Sequence, residues 1–380
     1  MANSRSYTAA IDSRSGSVTA RHTQTVRVEN RLNEGAWRDF LNRHPQGNVF
    51  HTPEMHDAFS RAAGYRPSLW AAVDDYSGDV LALLTPVQVT LSNVPLHRLT
   101  SRDIAYGSLL AAPGERGEEA VVRLLDAYKR TASRYSLFSE LRNLSNLAAL
   151  QPALNRSGFV YEGHLDYLVD LTQPEDVVWQ KMSKSARKHI RRALRQEDLT
   201  VVEASTADQL RECYSLLRMT YENARIPLAD FSLFQAMFDI MRPRQMALFL
   251  VVYYQDTPIA GSVELLFKES MYGFYGGMDR RYGNLNPTEL LQWHIFQWGR
   301  AHGYAQYDFG GAGRPDEEYG VRDYKAKYGG ELVNFGRNVC VHAPRLLDFS
   351  KRGYSVYRRL LAGVERARAF TRQAQPRLNA

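Results

Sequence analysis

Three things are scarce in this sequence, and each scarcity removes a class of protein. The 380 residues hold two cysteines, Cys213 and Cys340, too few for a disulfide framework or a cysteine-rich zinc site. Long apolar runs are missing. The longest wholly apolar or aromatic stretch is residues 247–254, far below the roughly 20 residues of a membrane-spanning helix. The first residues, MANSRSYTAAIDSRSGSV, hold no apolar segment of the kind a secretory signal requires. Together these place the chain in a reducing cytoplasm.

Several catalytic signatures are also missing. There is no G-x-x-x-x-G-K-[ST] for phosphoryl transfer, no H-E-x-x-H for zinc and no G-x-S-x-G for a hydrolase nucleophile. His51/His56 and His294/His302 lack ligand spacing on one helical face. Gly310, Gly311 and Gly313 follow an apparent strand, Tyr304–Phe309, without spelling G-x-G-x-x-G. The expectation is a site with no metal and no resident cofactor, working by positioning and electrostatics.

What is present is a globular composition, 44% hydrophobic and 23% charged. The net charge of +7 is carried by one end. From Arg345 onward nine basic residues face two acids, so the first 344 residues are balanced. Such a tail suits RNA, an anionic membrane or a solvated helix.

The pattern divides the chain. Residues 1–24 read as disordered, 25–170 as a first unit, 171–345 as a second, and 346–380 as a basic helical tail. The first unit shows helices at Glu34–Arg43, Pro53–Ala63 and Glu118–Ser133, and a hairpin pairing Leu69–Val73 with Val80–Val89. The second repeats helix, helix, hairpin about 179 residues later, with Leu210–Asn223, Phe231–Met241, then Leu248–Tyr253 and Ile259–Phe267. Between them Pro174–Gln196 reads as one helix. Trp179, Met182, Ala186, Ile190 and Ala193 make its buried face. Its other faces carry Lys181, Lys184, Arg187, Lys188, Arg191, Arg192 and Arg195 with no acid among them. Like charges at helical spacing repel, which favours a polyanionic ligand.

The densest signal lies in residues 271–333. Tyr275-Gly276-Gly277 precedes an Asn286-Pro287 helix start, followed by Leu290-Leu291-Gln292-Trp293 and Ala301-His302-Gly303-Tyr304. Then come Tyr307-Asp308-Phe309-Gly310-Gly311 and Tyr324-Lys325-x-x-Tyr328-Gly329-Gly330. With the basic segment from Ser185 to Ala193, this block resembles the FemAB/FemX branch of the GNAT acyltransferase superfamily. The resemblance covers roughly residues 30–345 and is weakest in the first half. It implies an α/β protein of tandem GNAT-like units, each a mixed β-sheet flanked by helices. It also implies an acyltransferase joining an amino acid from aminoacyl-tRNA to an amine of a peptidoglycan precursor or peptide-like metabolite. By the same resemblance Lys325 acts at the reacting carbonyl or leaving oxygen with Tyr324 beside it. Asp308 closes the central strand as the second catalytic candidate. Tyr275, Asn286, Arg187, Lys188 and Arg191 are substrate-binding candidates.

One departure bears on the donor. The loop that in this superfamily holds the pyrophosphate of acyl-CoA reads Arg280-Arg281-Tyr282-Gly283-Asn284-Leu285. Leu285 stands where a small residue is needed, which ranks aminoacyl-tRNA ahead of acyl-CoA. An acyl-CoA-dependent N-acyltransferase of polysaccharide or secondary-metabolite assembly is the enzymatic alternative, and a non-catalytic polyanion-binding module the third. No long heptad run marks the coiled-coil arm common in Fem enzymes, which weighs against peptidoglycan-bridge synthesis in particular.

Overall fold

The computed structural model describes residues 25–90 and 97–350. The expected disorder of residues 1–24 and the tail beyond 350 lie outside the described residues; residues 344–350 are helical. No described helix is long and apolar enough to cross a membrane.

The architecture is mixed α/β with three sheets. A four-stranded sheet orders Val26–Glu29, Trp70–Asp74, Val80–Leu84 and Leu109–Ala111. A six-stranded sheet orders Tyr65–Pro67, Val87–Thr90, Ser101–Ala105, Phe138–Arg142, Arg337–Val341 and Val160–Glu162. The seven-stranded sheet of the second half runs Leu199–Glu203, Ala247–Tyr254, Thr257–Phe267, Ser270–Met278, Gln306–Gly311, Asp166–Asp170 and Glu331–Val333.

Both expected hairpins form. Trp70–Asp74 pairs antiparallel with Val80–Leu84, and Ala247–Tyr254 with Thr257–Phe267. The long arm expected over Val80–Val89 is two strands. Pro86 has no N–H to give a ladder, and after it Val87–Thr90 joins the six-stranded sheet. Each half also holds a parallel pair: Ser101–Ala105 beside Phe138–Arg142, and Ser270–Met278 beside Gln306–Gly311.

The helices follow their local signals. Thr52 Oγ1 accepts the Met55 amide at 3.2 Å ahead of Pro53, and Thr206 with Gln209 forms a capping box for Ala207–Ala224. The linker departs from expectation. It is two helices, Glu175–Lys181 and Lys184–Leu194, because Ser183 caps the second through the Ala186 amide and gives its own N–H to the Lys327 carbonyl.

The chain crosses the boundary expected at residue 170 twice. Strand Asp166–Asp170, at the end of the first unit, is inserted between Gln306–Gly311 and Glu331–Val333. Strand Arg337–Val341, at the end of the second, is inserted between Phe138–Arg142 and Val160–Glu162. Each unit therefore completes the other's sheet. The largest apolar cluster is shared as well: Met55, Phe59 and Ile104 of the first half pack with Leu217, Phe234 and Met237 of the second. A fragment of residues 25–163 lacks the interior strand Arg337–Val341, and we expect it to lose cooperative unfolding in urea. A fragment that melts as sharply as the whole chain would show that the exchanged strand is dispensable.

Candidate active site

The site begins where two parallel strands part. Ser270–Met278 and Gln306–Gly311 pair from Ser270/Gln306 to Tyr272/Asp308. Past that point the first stays with Thr257–Phe267 while the second turns to Asp166–Asp170. The ends of parallel strands in such sheets are where ligands bind. Two cavities open from this wedge. One, of about 370 Å³, faces the first unit; the other, of about 640 Å³, faces helices Pro287–Ala301 and Gly320–Ala326. Gly273, Phe274, Tyr275, Gly310 and Gly311 line both. Strand alternation assigns Tyr272 and Asp308 to the first cavity, Tyr307 and Phe309 to the second. The glycines are required: a Cβ on Gly273 would stand 2.6 Å from the Tyr307 hydroxyl, and Gly310 has φ +69°.

Lys325 anchors the wedge. Its side chain is 8% exposed, and Nζ donates to the carbonyls of Phe309 at 2.7 Å, Gly310 at 2.6 Å and Gly311 at 2.9 Å. An ammonium has three donors, so all are engaged. The resemblance implies a role for Lys325 at the reacting carbonyl or leaving oxygen; in the structure its three donors are bonded to the loop. Lys325 is a positioning residue that holds the Gly310-Gly311 turn.

Beneath it lie Asp308 and Asp166, 2% and 6% exposed. Asp308 Oδ1 accepts the Gly310 amide at 2.7 Å, and Asp166 Oδ1 accepts the Tyr167 amide at 2.7 Å. Burial and the neighbouring Asp308 charge push Asp166 well above the carboxylate range; burial raises Asp308 too, against the pull of the Gly310 amide and Lys325. Two carboxyls this close cannot both ionise. Asp166 holds the shared proton, and one carboxylate balances Lys325, whose own value burial lowers.

The other expected residues divide. Tyr275 lines both cavities, packed on Phe234 with ring centroids 4.9 Å apart. Tyr324 lines the larger cavity, its hydroxyl accepting from Tyr328 at 3.1 Å. Asn286 lies outside both linings, in the left-handed turn before Pro287, its Nδ2 on the Asn284 carbonyl at 3.3 Å. Arg187, Lys188 and Arg191 also line neither cavity. Their helix buries Ala186, Ile190 and Ala193, which leaves Lys188 and Arg191 exposed and Arg187 half-buried, its Nε without a hydrogen-bond partner among the described residues; Arg191 lies over the Trp179 ring at 5.2 Å.

The donor loop Asp279–Asn286 differs from expectation in its physical cause. Leu285 is half-buried and packs against the second unit's core. The backbone itself is committed. The Arg281 amide donates to Asp279 Oδ1 at 3.0 Å, the Tyr282 amide to the Asp279 carbonyl and the Asn286 amide to the Gly283 carbonyl. The Arg281 guanidinium pairs with Asp279 at 2.6 Å.

Some residues lining the two cavities were invisible from spacing. Arg102, Arg142 and Arg337 converge on the smaller cavity from three strands. Arg142 and Arg337 share Glu140 at 2.6 and 2.9 Å, and Arg102 Nε is buried with no partner among the described residues. Glu264 lines the larger cavity, 2% exposed, with the Tyr307 hydroxyl donating to it at 3.0 Å. Burial pushes its carboxyl up to about 7. The one signal available was an isolated acid in an otherwise apolar strand.

A parallel strand pair in each half, the second splayed around a glycine-lined wedge, defines a tandem protein of the GNAT fold. Residues 180–326 match the family described as Acetyltransferase (GNAT) domain. The lipid II:glycine glycyltransferase of Staphylococcus saprophyticus is 25% identical over 264 residues, 67% of this chain and 56% of that protein. This chain thus spans a little over half of that relative. The crystal structure of FemX superposes with a TM-score of 0.64 at 15% identity, covering 85% of this chain and 99% of FemX. A tandem GNAT protein from the clavulanic acid biosynthesis pathway gives 0.54 at 9%, covering 84% and 99%. The chain is a distant homologue of the GNAT acyltransferases of the FemX and lipid II glycyltransferase kind.

Removing one partner of a buried charge pair costs about 3–5 kcal/mol, so Lys325→Met should lower stability by that amount in urea titrations. Asp166→Asn should cost much less than Asp308→Asn, since Asp166 already carries the proton. A fully stable Lys325→Met protein would contradict the anchoring role. Glu264 adds a pH dependence. Folded, it keeps its proton to about pH 7, whereas a free glutamate carboxyl titrates near 4.5. Through that window the unfolded chain binds fewer protons, so stability falls as pH rises. Glu264→Gln should flatten that fall, which is about 3 kcal/mol by the free energy of a pKa shift; unfolding midpoints at pH 5 and pH 8 measure it.

Proposed function

We propose that the protein is an aminoacyltransferase that moves an amino acid from the ester end of aminoacyl-tRNA to a primary amine of a peptidoglycan precursor or peptide-like metabolite. The observation that carries this reading is the donor loop. A CoA pyrophosphate needs free backbone N–H groups at a helix N-terminus. Here the Arg281, Tyr282 and Asn286 amides are bonded internally, Pro287 has none, and the Asp279 carboxylate sits in the loop. A phosphate would find those three amides taken and the Arg281 guanidinium already paired with Asp279. The name of the S. saprophyticus relative supports an amino acid as the transferred group and a lipid-linked peptidoglycan precursor as acceptor.

In this mechanism the neutral amine attacks the ester carbonyl carbon, forming the C–N bond and a tetrahedral oxyanion. Collapse breaks the C–O bond, and the departing ribose oxygen gains the proton the amine gives up. The protein has only to align reactants, stabilise the oxyanion and guide that proton. The register of Thr257–Phe267 with Ser270–Met278 skips Phe274, between Val263/Tyr275 and Glu264/Gly273. Phe274 lines both cavities at this bulge, and its backbone N–H serves as the oxyanion donor in this reading. Asp308 borders the cavity toward the first unit and carries the pair's ionised carboxylate, so it orients the amine, takes up its proton and passes that proton to the departing ribose oxygen. Arg102, Arg142 and Arg337, offset by Glu140 alone among their bonded partners, suit an anionic acceptor.

The test is transfer of labelled amino acids from a pool of charged tRNAs to peptidoglycan precursor. We expect amide product, with donor binding that weakens steeply as salt rises. Arg337→Ala should raise the acceptor KM about tenfold or more and leave kcat within a few-fold, as for a lost uniform binding contact. Tight, salt-insensitive binding of acetyl-CoA with acetyl transfer would replace this reading with the CoA-dependent one.

A further inference from the structure

Glu264 has no role in the reaction as just described, yet its placement is costly. Strand Thr257–Phe267 runs through an apolar layer in which Ala260 and Leu266 pack with Leu248, Leu250 and Ile295. A carboxyl in such a layer is held only against a partner, and no ion pair reaches Glu264 among the described residues. Its bond from the Tyr307 hydroxyl uses one oxygen. Two more polar groups line the same cavity. Ser262 and Gln292 are 5% and 6% exposed; Ser262 lies beside the Glu264 carboxyl and Gln292 beside the Tyr307 hydroxyl, yet neither Ser262 Oγ nor Gln292 Nε2 completes a well-aligned hydrogen bond among the described residues. Buried polar groups are nearly always paired. Three such side chains facing one cavity, two of them without a well-formed bond, point to a polar ligand group.

The chemistry of the four selects the group. Glu264 offers a carboxylate, Ser262 and Tyr307 offer hydroxyl lone pairs, and the Gln292 side-chain amide stands beside the Tyr307 hydroxyl, its oxygen an acceptor and its nitrogen a donor. That is an acceptor set, with an anion and no cation in it. We propose that Glu264, Ser262, Tyr307 and Gln292 form a subsite for a primary ammonium, that of the amino acid being transferred, and thereby select an aminoacyl over a plain acyl donor. The inference rests on the aminoacyltransferase reading for the identity of that amino group.

Two features assign the ammonium to the donor. The attacking amine must be neutral, so a site that holds charge suits the amine that does not react. The arginine-lined cavity, which fits the anionic acceptor, lies on the other side of the wedge. Burial supports the coupling expected on binding. Empty of a cation, Glu264 keeps its proton to about pH 7; an arriving ammonium favours the carboxylate and drives that proton into solution.

The experiment compares two stable mimics of the aminoacyl-tRNA end by calorimetry on the full chain at pH 6.5. These are 3′-deoxy-3′-(glycylamino)adenosine and its acetylamino counterpart, which differ by one ammonium. Wild type should bind the glycyl probe at least tenfold more tightly, with proton release seen as a buffer-dependent heat for that probe alone. Glu264→Gln should bring the ratio within about twofold and abolish the proton release. Equal or undetectable binding of both probes by wild type overturns the subsite, and so does a preference retained by Glu264→Gln. If that variant does not fold, the wild-type comparison and Ser262→Ala, with a reduced preference, decide. Displacement of the glycyl probe by Nα-acetyl-lysinamide would move the subsite to the acceptor and overturn the assignment. Preference for the glycyl probe without transfer from any charged tRNA would refute the tRNA-dependent reading and support the ammonium site.

Discussion

One buried ammonium holds the site open. Lys325 ties three consecutive carbonyls, Phe309 to Gly311, at the point where the central strand leaves its parallel neighbour. Those carbonyls would otherwise continue a ladder or face an apolar cavity unpaired. The charge is admissible because Asp308 and Asp166 lie beside it and share one proton, so the group is close to neutral overall. The wedge, and both cavities that open from it, depend on this balance.

The balance in turn depends on the exchange of strands. Asp166 reaches Asp308 because strand Asp166–Asp170, written at the end of the first unit, is paired into the second unit's sheet. Arg337 reaches Arg142 and Glu140 because the last described strand returns to the first unit. Neither unit owns a complete site. The two chemistries are kept apart across the wedge: guanidinium groups face the side of the first unit, while the acceptor set of Glu264, Ser262 and Tyr307 faces the helices of the second. Such a division lets one ligand present anionic groups and the other an ammonium without either entering the wrong cavity.

Much of the fold was legible because its signals are local. Alternation and turn residues identified both hairpins, and caps with Pro at the first turn identified the helices at Pro53 and Pro287. Where local reading failed, a tertiary partner intervened. Ser183 breaks the linker because Lys327 accepts its N–H, and Arg187, Lys188 and Arg191 face away from the cavities because Ala186, Ile190 and Ala193 take the core side. Leu285 matched a motif position, but its side chain packs inward and the loop is governed by Asp279.

The sequence by itself determined which segments become strands and helices, and that Tyr275, Asp308, Tyr324 and Lys325 gather near one place, since these rest on periodicity and on a motif read along the chain. Only the tertiary structure decided what each does. Whether a lysine meets a substrate or three carbonyls depends on where a loop 14 to 16 residues away comes to lie. Whether Asp166 is charged depends on Asp308 across a sheet, and whether Glu264 is an isolated core acid or part of an acceptor set depends on Gln292 and Tyr307 from two other elements. Hydrogen bonds and charge act over a few ångströms in space, with no regard for separation along the chain.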